Sequence, residues 1–408
     1  MNRRDVSPVS QAVSSKNDGV VLVQYGNYAE TVRRFSEGGD ETYFAQRYSV
    51  DVVERLPRTY GPTTVVTVDA PAGEEVLPSG VRCIGLPEVP WKSEGAKAVI
   101  ASLRMLAPAA AIIRFPSRPI VDWCLREGVR VFPLLADSFQ NSSLRERFRS
   151  WRLARVLNDS RVDFVANHQL DSCRDLVRIG VSPKKILPWD WPKASRPGDQ
   201  APKSGPATPG LLTVAYAGKV IEAKGVGDLI RAVALLNKEG LHVRATIAGG
   251  GEIEHFRGLA KELGVADEVE LAGLVPHREA TALMRRSDVV VVPSRHEYGE
   301  GLPMTIFDAL TSRSPLVISD HPMLVAPLEN DPAVSIFPEK DAPALARALR
   351  KLAEDPAHYR SLSEQSEATW QRLQIPLMWG DMVERWLSGT AEDLAWLSRY
   401  TLASRNES

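Results

Sequence analysis

Two lysines, each next to a glycine, follow a short apolar segment in the second half of the chain. Leu211–Ala217 has the length and character of a buried strand, and Gly218-Lys219 and Lys224-Gly225 come soon after it. Ligands in open α/β sheets bind where the carboxyl ends of strands turn into helices. Ammonium groups beside backbone that allows close approach suit a diphosphate. The spacing therefore predicts a diphosphate site, and the alternative is a pair of solvated loop charges.

A second cluster, Glu300-Gly301-Leu302-Pro303, leads into a predicted helix that carries Asp308. Proline suits the first helical position, and the amides of a helix N-terminus favour a phosphate. One carboxylate could accept hydrogen bonds from sugar hydroxyls and the other from a ribose diol. Together with the lysines, these residues predict a nucleotide-sugar site. The alternative is one acid that stabilises the helix dipole and an unrelated surface aspartate.

The elements that must position these residues alternate between strands and helices in both halves of the chain. Such alternation is typical of parallel sheets covered by helices on both faces. In the first half, we predict strands at 20–24, 63–68, 110–113, 129–132 and 163–166, and helices at 41–56, 117–127 and 170–179. In the second half, we predict strands at 211–217, 243–248, 268–272, 289–292 and 316–319, and helices at 226–237, 253–263, 278–286 and 304–311. The predicted fold class is α/β, with two doubly wound Rossmann-like domains facing a cleft.

A segment rich in Pro, Gly and Ser separates the two halves. We therefore expect a first domain at 20–195, a linker at 196–210 and a nucleotide-sugar-binding domain at 211–370, followed by a C-terminal helical segment at 371–408. The polar, Ser-rich start, residues 1–19, lacks the apolar core of a secretory signal and predicts a disordered tail.

The bulk composition gives little support to several classes of partner and site, although it leaves local basic patches open. A formal net charge of −1 gives no support to nucleic acid or an anionic membrane as a partner. Three scattered cysteines argue for a reducing compartment and against structural zinc. No apolar run reaches the ~20 residues that span a bilayer. We expect a cytoplasmic, metal-independent protein with at most peripheral contact to the inner face of the membrane.

Five segments of the second half resemble motifs of glycosyltransferase family 4. They are 217–225, similar to G-R-L-x-x-x-K-G, then 247–251, 272–276, 291–294 and 300–309, the last similar to E-G-L-P-x-x-x-x-E-A. The segments follow family order and spacing from residue 211 to about residue 356. The resemblance implies a GT-B fold and a retaining, hexosyltransferase-type reaction that uses a nucleotide-sugar donor and needs no further cofactor.

The resemblance also implies a role for each donor-site residue. Lys219 and Lys224 would hold the diphosphate, and Glu300 would contact the transferred sugar. The backbone of Gly301 and Leu302 would contact the sugar phosphate. Asp308 would contact the ribose, and the backbone around Val275 would lie against the base. Arg313 replaces a glycine that is usual in the family, and the sequence offers no explanation for it.

The first half resembles the family more loosely. Gly38-Gly39 is similar to a loop whose glycines allow the backbone to approach donor or acceptor, and a flexible surface loop is the alternative. Ala136 stands where many members have the histidine of a His-Asp pair, whereas Asp137 is retained. His168 is a candidate substitute, and the alternative is a packed or solvent-facing histidine.

Three further residues of the first half are candidates for the ligand cleft. Arg114, at the end of a predicted strand, is a cleft candidate, with a surface arginine as the alternative. Trp189 and Trp191 could stack on a sugar ring, although packing at the domain boundary is favoured.

For the segment 371–408, the resemblance implies a helix that crosses back onto the first domain.

Other functions stay open at this stage. The missing histidine allows a catalytically silent nucleotide-sugar-binding protein, and the same architecture also serves epimerases and phosphorylases. Family breadth favours cell-surface polysaccharide or glycoconjugate biosynthesis, with a sugar or a lipid-linked acceptor and no nucleic acid as partner.

Overall fold

The computed structural model describes residues 19–87, 94–139, 143–299 and 301–406. Glu300 and nearly all of the predicted tail lie outside these ranges. The described chain forms two sheets, one in each half, and their strands run almost entirely parallel. The predicted fold class is thus confirmed, with two doubly wound α/β domains.

Among the described residues, the first sheet has eight strands, and six of them are buried over most of their length. In chain order they are β1 (Val20–Tyr25), β2 (Thr63–Val68), β3 (Gly73–Val76), β4 (Arg82–Leu86), β5 (Ala110–Ile113), β6 (Arg130–Leu135), β7 (Val165–His168) and β8 (Ile186–Trp189). Their order across the sheet is β3-β4-β2-β1-β5-β6-β7-β8, and only β3 runs antiparallel. Strand order reverses between β1 and β5, so the ligand crevice of this domain lies at their carboxyl ends.

Six helices belong to this sheet. They are α1 (Tyr28–Ser36), α2 (Gln46–Tyr60), α3 (Glu94–Leu106), α4 (Arg118–Glu127), α5 (Leu144–Leu157) and α6 (Leu170–Arg178). Every residue of β2 and β5 is buried, including the three threonines of β2, because helices cover both faces of the sheet.

The second sheet has six parallel strands. They are β9 (Leu211–Ala217), β10 (His242–Ala248), β11 (Val269–Gly273), β12 (Val289–Val292), β13 (Leu316–Ser319) and β14 (Val334–Phe337). The order β11-β10-β9-β12-β13-β14 is the doubly wound Rossmann order, and it reverses between β9 and β12. The ligand crevice of the second domain is therefore expected at the end of β9.

The helices of the second half are α7 (Val226–Lys238), α8 (Ile253–Glu262), α9 (His277–Arg286), α10 (Met304–Ser312), α11 (Pro322–Leu328), α12 (Ala342–Glu354) and α13 (Pro356–Arg372). Two short 3₁₀ turns lie at Pro197–Asp199 and Glu222–Lys224. The chain ends in α14 (Trp379–Ser388), α15 (Ala391–Ser398) and α16 (Leu402–Asn406). No described helix combines the length and apolar character needed to cross a bilayer.

The helix predicted at 41–56 begins late, at Gln46. Ala45 has a φ of 57°, which a continuous right-handed helix does not allow. The side chain of Gln46 instead accepts a hydrogen bond of 3.0 Å from the amide of Thr42, closing a turn before the helix. The sequence prediction also missed α1, which precedes this turn.

The predicted linker lies along the surface of the second domain. The buried ammonium of Lys203 donates to the carbonyls of Arg285 and Ser287, both at 2.6 Å. Arg313, unexplained by the sequence, is buried at the end of α10 with a φ of 59°. Its guanidinium donates to the carbonyl of Pro197 at 2.8 Å and pairs with Glu367 of α13 at 2.6 Å. Arg313 thus fastens the start of the linker to its own domain.

The last helices pack against the first domain. Trp379 and Trp386 of α14 are fully buried in its core, and Trp386 stacks on Phe132 of β6 with ring centroids 4.9 Å apart. The Tyr48 hydroxyl of α2 accepts a hydrogen bond from the amide of Gly380 at 3.1 Å. The C-terminal segment therefore joins the two halves of the chain.

Candidate functional site

The loop after β9 lies directly on the glycine turn that follows β10. The Gly218 amide donates to the Ala248 carbonyl at 3.0 Å, and the Val220 amide donates to the Gly250 carbonyl at 2.9 Å. A Cβ added to Gly249 would lie 1.7 Å from the Gly218 oxygen, so only glycine fits there. The glycines thus hold the lysine-bearing loop against the neighbouring strand end.

The far end of this loop lies against the end of β12. Gly225 has a φ of 72°, and a Cβ on it would lie 2.0 Å from the Pro293 carbonyl oxygen. Lys224 therefore lies at the switch point between β9 and β12, and its Nζ is 4.5 Å from the ring centroid of Tyr298. Lys219 is exposed at the start of the loop. Both predicted diphosphate lysines lie in the crevice expected from the strand order.

Arg295, which the sequence analysis missed, fixes the shape of the loop. Its guanidinium makes two hydrogen bonds of 2.8 Å to Asp228 of α7 and one of 2.6 Å to Glu222. Its amide donates to the Ala223 carbonyl at 2.9 Å. The hydrogen bonds to Asp228 raise the pKa of Arg295. A buried arginine between two acids holds the backbone that carries Lys224.

The start of α10 lies beside the same loop. The helix begins at Met304, as predicted, and Pro303 is an extended residue just before it instead of the first helical residue. Leu302 is buried in the core beneath it. The Thr305 hydroxyl, in the first helical turn, donates to the Ala217 carbonyl at the end of β9 across 3.4 Å. The helix N-terminus and the lysine loop therefore face one crevice.

Asp308, the predicted ribose ligand, has a partner that the sequence analysis did not identify. Its Oδ2 lies 3.0 Å from Nε2 of His277, the first residue of α9. This hydrogen bond raises the pKa of His277. The His277 amide donates to the Glu41 carbonyl of the first domain at 3.2 Å. Val275, two residues upstream, is partly buried, so the predicted base and ribose positions lie at the domain interface.

The Gly38-Gly39 loop lies between α1 and α2. Gly38, with a φ of 80°, and the Gly39 amide, which donates to the Arg34 carbonyl at 2.8 Å, end that helix. Just beyond, Asp40 pairs with Arg278 of α9 at 3.1 Å. The loop therefore contacts the second domain through the residues that follow its glycines.

The approach of the two domains continues at Gly301. A Cβ added to Gly301 would lie 3.8 Å from the Ser172 hydroxyl, at the start of α6. Gly301, which follows the predicted sugar contact Glu300 in the sequence, thus faces the first domain.

Arg114 lies at the crevice of the first domain, directly after β5. Its guanidinium lies 5.7 Å from the ring of Trp191 and 5.5 Å from the ring of Trp379, and it donates to Gln24 at 3.3 Å. Burial lowers the pKa of Arg114. Among the described residues, no carboxylate lies within 4.0 Å of this guanidinium. The two tryptophans at the end of β8 are packed: Trp189, its last residue, is almost fully buried, and Trp191, two residues later, stacks on Trp379.

Asp137 lies at the end of β6, beside the exposed Ala136. Burial raises the pKa of Asp137 to about 6. Its amide donates to the Asn167 side chain at 3.1 Å, and the Asn167 amide group donates back to the Asp137 carbonyl at 2.9 Å. This reciprocal pair fixes the backbone of Asp137, the residue whose carboxyl group has the raised pKa.

His168 belongs to a buried polar network. Its Nε2 lies 3.2 Å from Asp190, which is fully buried and also accepts a hydrogen bond of 2.6 Å from Gln169. The Lys193 ammonium lies 2.5 Å from the same carboxylate and 4.3 Å from the ring of Phe307 on α10. Burial would raise the pKa of Asp190, but His168 and Lys193 hold it below its ordinary value. Burial lowers the pKa of Lys193.

No group of three or more His, Cys, Asp or Glu side chains that could hold a metal ion occurs within the described ranges. Cys83, Cys124 and Cys173 are all buried and unbridged.

Sequence comparisons match a segment of the second half of the chain to a known family. Residues 199–369 match the family described as glycosyl transferases group 1. The glycogen synthase of Mycobacterium tuberculosis is 32% identical over 192 residues, 46% of this chain and 42% of that protein. The amylovoran biosynthesis glycosyltransferase AmsK of Erwinia amylovora is 29% identical over 151 residues, 36% of each chain. The matched segments thus span about two fifths of these relatives.

Structural comparisons extend over nearly the whole chain. Sucrose-phosphate synthase from Thermosynechococcus elongatus superposes with a TM-score of 0.61, covering 91% of this chain and 100% of its own at 18% identity. HepE of Anabaena, solved with UDP, gives a TM-score of 0.61 over 91% of this chain and 100% of its own at 11% identity. The protein therefore has a two-domain GT-B fold, and its second half carries the segment that matches the glycosyl transferases group 1 family.

Proposed function

We propose that the protein is a glycosyltransferase that moves a sugar from a nucleotide-sugar donor to an acceptor hydroxyl. The observation that carries this proposal is the position of Lys219 and Lys224. The two lysines lie on a loop held at the β9–β12 switch point, beside the N-terminus of α10 and inside the matched family segment. Two cations and a helix N-terminus supply the positive potential that a diphosphate requires.

The donor would lie along the second domain. In this arrangement the lysines bind the diphosphate, Asp308 reaches the ribose from its bond with His277, and the backbone at Val275 lies against the base. Glu300, which lies outside the described residues, is assigned to the transferred sugar. The relative solved with UDP supports a uridine nucleotide as the first donor to test.

The reaction would begin with stabilisation of the leaving diphosphate. Preorganised charges act most strongly where negative charge develops, and the lysines and the amides of α10 meet that need without a metal. The acceptor hydroxyl attacks from the face of the leaving group, so the configuration at the anomeric carbon is retained. The departing phosphate can take the hydroxyl proton, and Asp137 on the opposite domain orients the hydroxyl. Such a mechanism does not need a histidine at Ala136.

The biological setting proposed is cell-surface polysaccharide or glycoconjugate biosynthesis. A relative named for amylovoran biosynthesis supports this setting. The acceptor would be a sugar or a lipid-linked sugar that enters from the side of the first domain.

A two-stage experiment tests the function. Thermal unfolding is first measured with UDP-, GDP- and ADP-sugars, because a ligand of the folded state at about 100 times its Kd stabilises by roughly 2.7 kcal/mol. Turnover is then measured with the stabilising donor and a panel of acceptors. We expect one nucleotide class to raise the unfolding temperature and to support transfer.

The alternatives give different outcomes. Stabilisation without transfer would favour a silent binding protein. Interconversion of the donor without acceptor would favour an epimerase, and phosphate-dependent sugar release would favour a phosphorylase. If no nucleotide stabilises the protein, the donor site itself is wrong.

A further inference from the structure

Helix α5 of the first domain presents an apolar strip to solvent. Leu144, Phe148 and Trp151 are 81%, 59% and 50% exposed. Their spacing of four and three residues places them on one face of the helix. The opposite face, with Leu153 and Leu157, is buried in the core of the first domain. The exposed strip is therefore not needed to attach α5 to its own sheet.

Arginines flank this strip. All five arginines of α5 are exposed: Arg145, Arg147, Arg149, Arg152 and Arg155. The single acid of the helix, Glu146, forms a capping box with Ser143 at the N-terminus. At 100° per residue, Arg147 lies on one side of the strip and Arg145 and Arg152 on the other. The surface is thus apolar in the middle and cationic along its margins.

A cavity of about 630 Å³ adjoins the strip, between α4 and α5. Arg118 and Arg161 at its wall are paired with Asp122 and Asp159. Of the described carboxylates, none lies within ion-pairing distance of the three other arginines of the cavity, Arg126, Arg152 and Arg155. The Arg155 guanidinium lies 5.2 Å from the Trp151 ring, and that of Arg152 lies 5.8 Å from the Phe148 ring. This arrangement suits a phosphate beside an apolar surface.

The strip lies at the cleft end of the first domain. Strand β6 ends at Leu135, and Asp137 lies two residues beyond it. Helix α5 begins seven residues after Asp137, at Leu144. Its 14 residues span about 21 Å, and all three strip residues lie in its first eight positions. A flat surface that contacts the strip would therefore lie next to the acceptor side of the cleft.

We propose that the α5 strip and its arginines bind a bilayer that contains anionic lipids. Aromatic rings at a membrane interface, apolar residues below them and arginines that reach the phosphates are the features of an interfacial helix. The charge of the strip selects an anionic surface, although the whole chain carries a formal net charge of −1. Resting on the proposed function, the docked orientation selects a lipid-linked acceptor over a soluble one.

The test uses flotation of the full chain with vesicles. One set is pure phosphatidylcholine, and the other contains about one third phosphatidylglycerol. We expect the wild-type protein to float with the anionic set only and to be released as salt rises to about 1 M. Leu144→Ser/Phe148→Ser/Trp151→Ser and, separately, Arg145→Glu/Arg152→Glu should each lower the partition coefficient at least about tenfold.

Matched controls change similar side chains elsewhere. Val76→Ser/Met105→Ser removes apolar side chains that are 63% and 66% exposed, away from α5. Arg104→Glu/Arg360→Glu reverses two exposed arginines on α3 and α13. Both control variants should float as the wild-type protein does. Stabilisation by UDP, measured on every variant, should stay at the wild-type value, so that loss of docking is distinguished from loss of the donor site.

Three results would overturn the proposal. The first is a wild-type protein that stays in solution with both vesicle sets or floats equally with both. The second is an α5 variant that floats as well as the wild-type protein. The third is a wild-type dimer in light scattering that the triple serine variant converts to monomer without a change in flotation, which would assign the strip to a second copy of this chain.

Discussion

The two domains hold their candidate site residues by different means. In the second domain, neighbouring loops touch through their backbones: Gly249 approaches Gly218, and Gly225 approaches Pro293, at distances that admit no side chain. In the first domain, the crevice is completed by side chains from distant segments, such as Arg114 with Trp379, 265 residues later. The candidate donor side is thus held by contacts within one domain, whereas the candidate acceptor side also needs the end of the chain.

The last segment of the chain shows what this difference means for stability. The Asp190 amide donates to the Leu377 carbonyl at 3.0 Å, and the Trp379 amide donates to the Asp190 carbonyl at 2.9 Å. The residues just before and at the start of α14 therefore extend the pairing beyond β8. The C-terminal helices thus complete the crevice of the first domain, whereas contacts within the second domain hold the lysine loop.

The largest effect is expected from Asp190→Ala. This change removes the carboxylate next to Lys193, whose side chain is only 5% exposed, and leaves a buried ammonium without its counter-ion. Breaking a buried pair in this way costs about 3–5 kcal/mol of the free energy of unfolding, which urea denaturation measures. As a control, Asp122→Ala breaks a half-exposed pair with Arg118 and should cost less than about 1 kcal/mol. Equal losses in the two variants would contradict the proposed dependence of the first domain on a buried ion pair.

The next effect concerns catalysis in the donor half. Lys224→Ala removes one cation from the diphosphate and should lower kcat/KM by about 10²–10³-fold, the range for one preorganised stabilising group. The unfolding temperature should barely change, because Arg295 and Gly225 hold the loop. The control is Lys238→Ala, an exposed lysine at the end of α7. Wild-type turnover in a folded Lys224→Ala protein would remove the donor-site assignment.

The same contrast explains how far the sequence could be interpreted. Strands β2, β5, β9, β12 and β13 were predicted at their observed bounds, because each is a continuous apolar or β-branched run. The lysine loop was visible because its glycines and charges lie within eight residues. By contrast, β3 is an exposed edge strand with the sequence Gly-Glu-Glu-Val, which carries no apolar pattern. Local pattern therefore predicted the second domain better than the first.

Contacts between residues far apart in the sequence could not be predicted from local sequence patterns. His277 meets Asp308 from 31 positions away, and Lys193 reaches the Phe307 ring of the other domain. Nothing in the sequence around Arg313 shows that its guanidinium binds the Pro197 carbonyl. Such pairings follow from tertiary packing alone, so a single sequence predicts the residue types of a site better than their partners.

A smaller effect should separate the chemistry of the two halves by pH. Because burial raises the pKa of Asp137 to about 6, the carboxylate that orients the acceptor is lost as pH falls below that value. We expect kcat/KM to fall with acidification through pH 6, and Asp137→Asn to remove this dependence. The loss at pH 8 should be about tenfold, less than for a full general base, because the phosphate takes the proton.

Stability provides the control for Asp137, because its sign is opposite. The folded pKa lies above the unfolded value, so the folded state binds the proton more tightly and loses stability as pH rises from about 4 to about 6. Asp137→Asn should therefore raise the unfolding temperature at pH 8 while it lowers activity. Asp51→Asn, on the exposed face of α2, should change neither. An unchanged pH profile in Asp137→Asn would exclude this residue from the acceptor side.

The smallest effect, and the sharpest test of a self-sufficient donor half, is the response to chelation. In the proposed function, Lys219, Lys224 and the amides at the start of α10 supply the positive charge where the diphosphate leaves, and these groups do not depend on an added ion. Initial rates measured after dialysis against EDTA should therefore stay within about twofold of the untreated enzyme. Restoring Mg²⁺ or Mn²⁺ should add nothing beyond that range. A strict requirement for either ion would mean that the positive charge needed at the diphosphate comes from a metal and not from the lysines. The second domain would then need a group from outside its own loops, as the first domain needs the C-terminal helices.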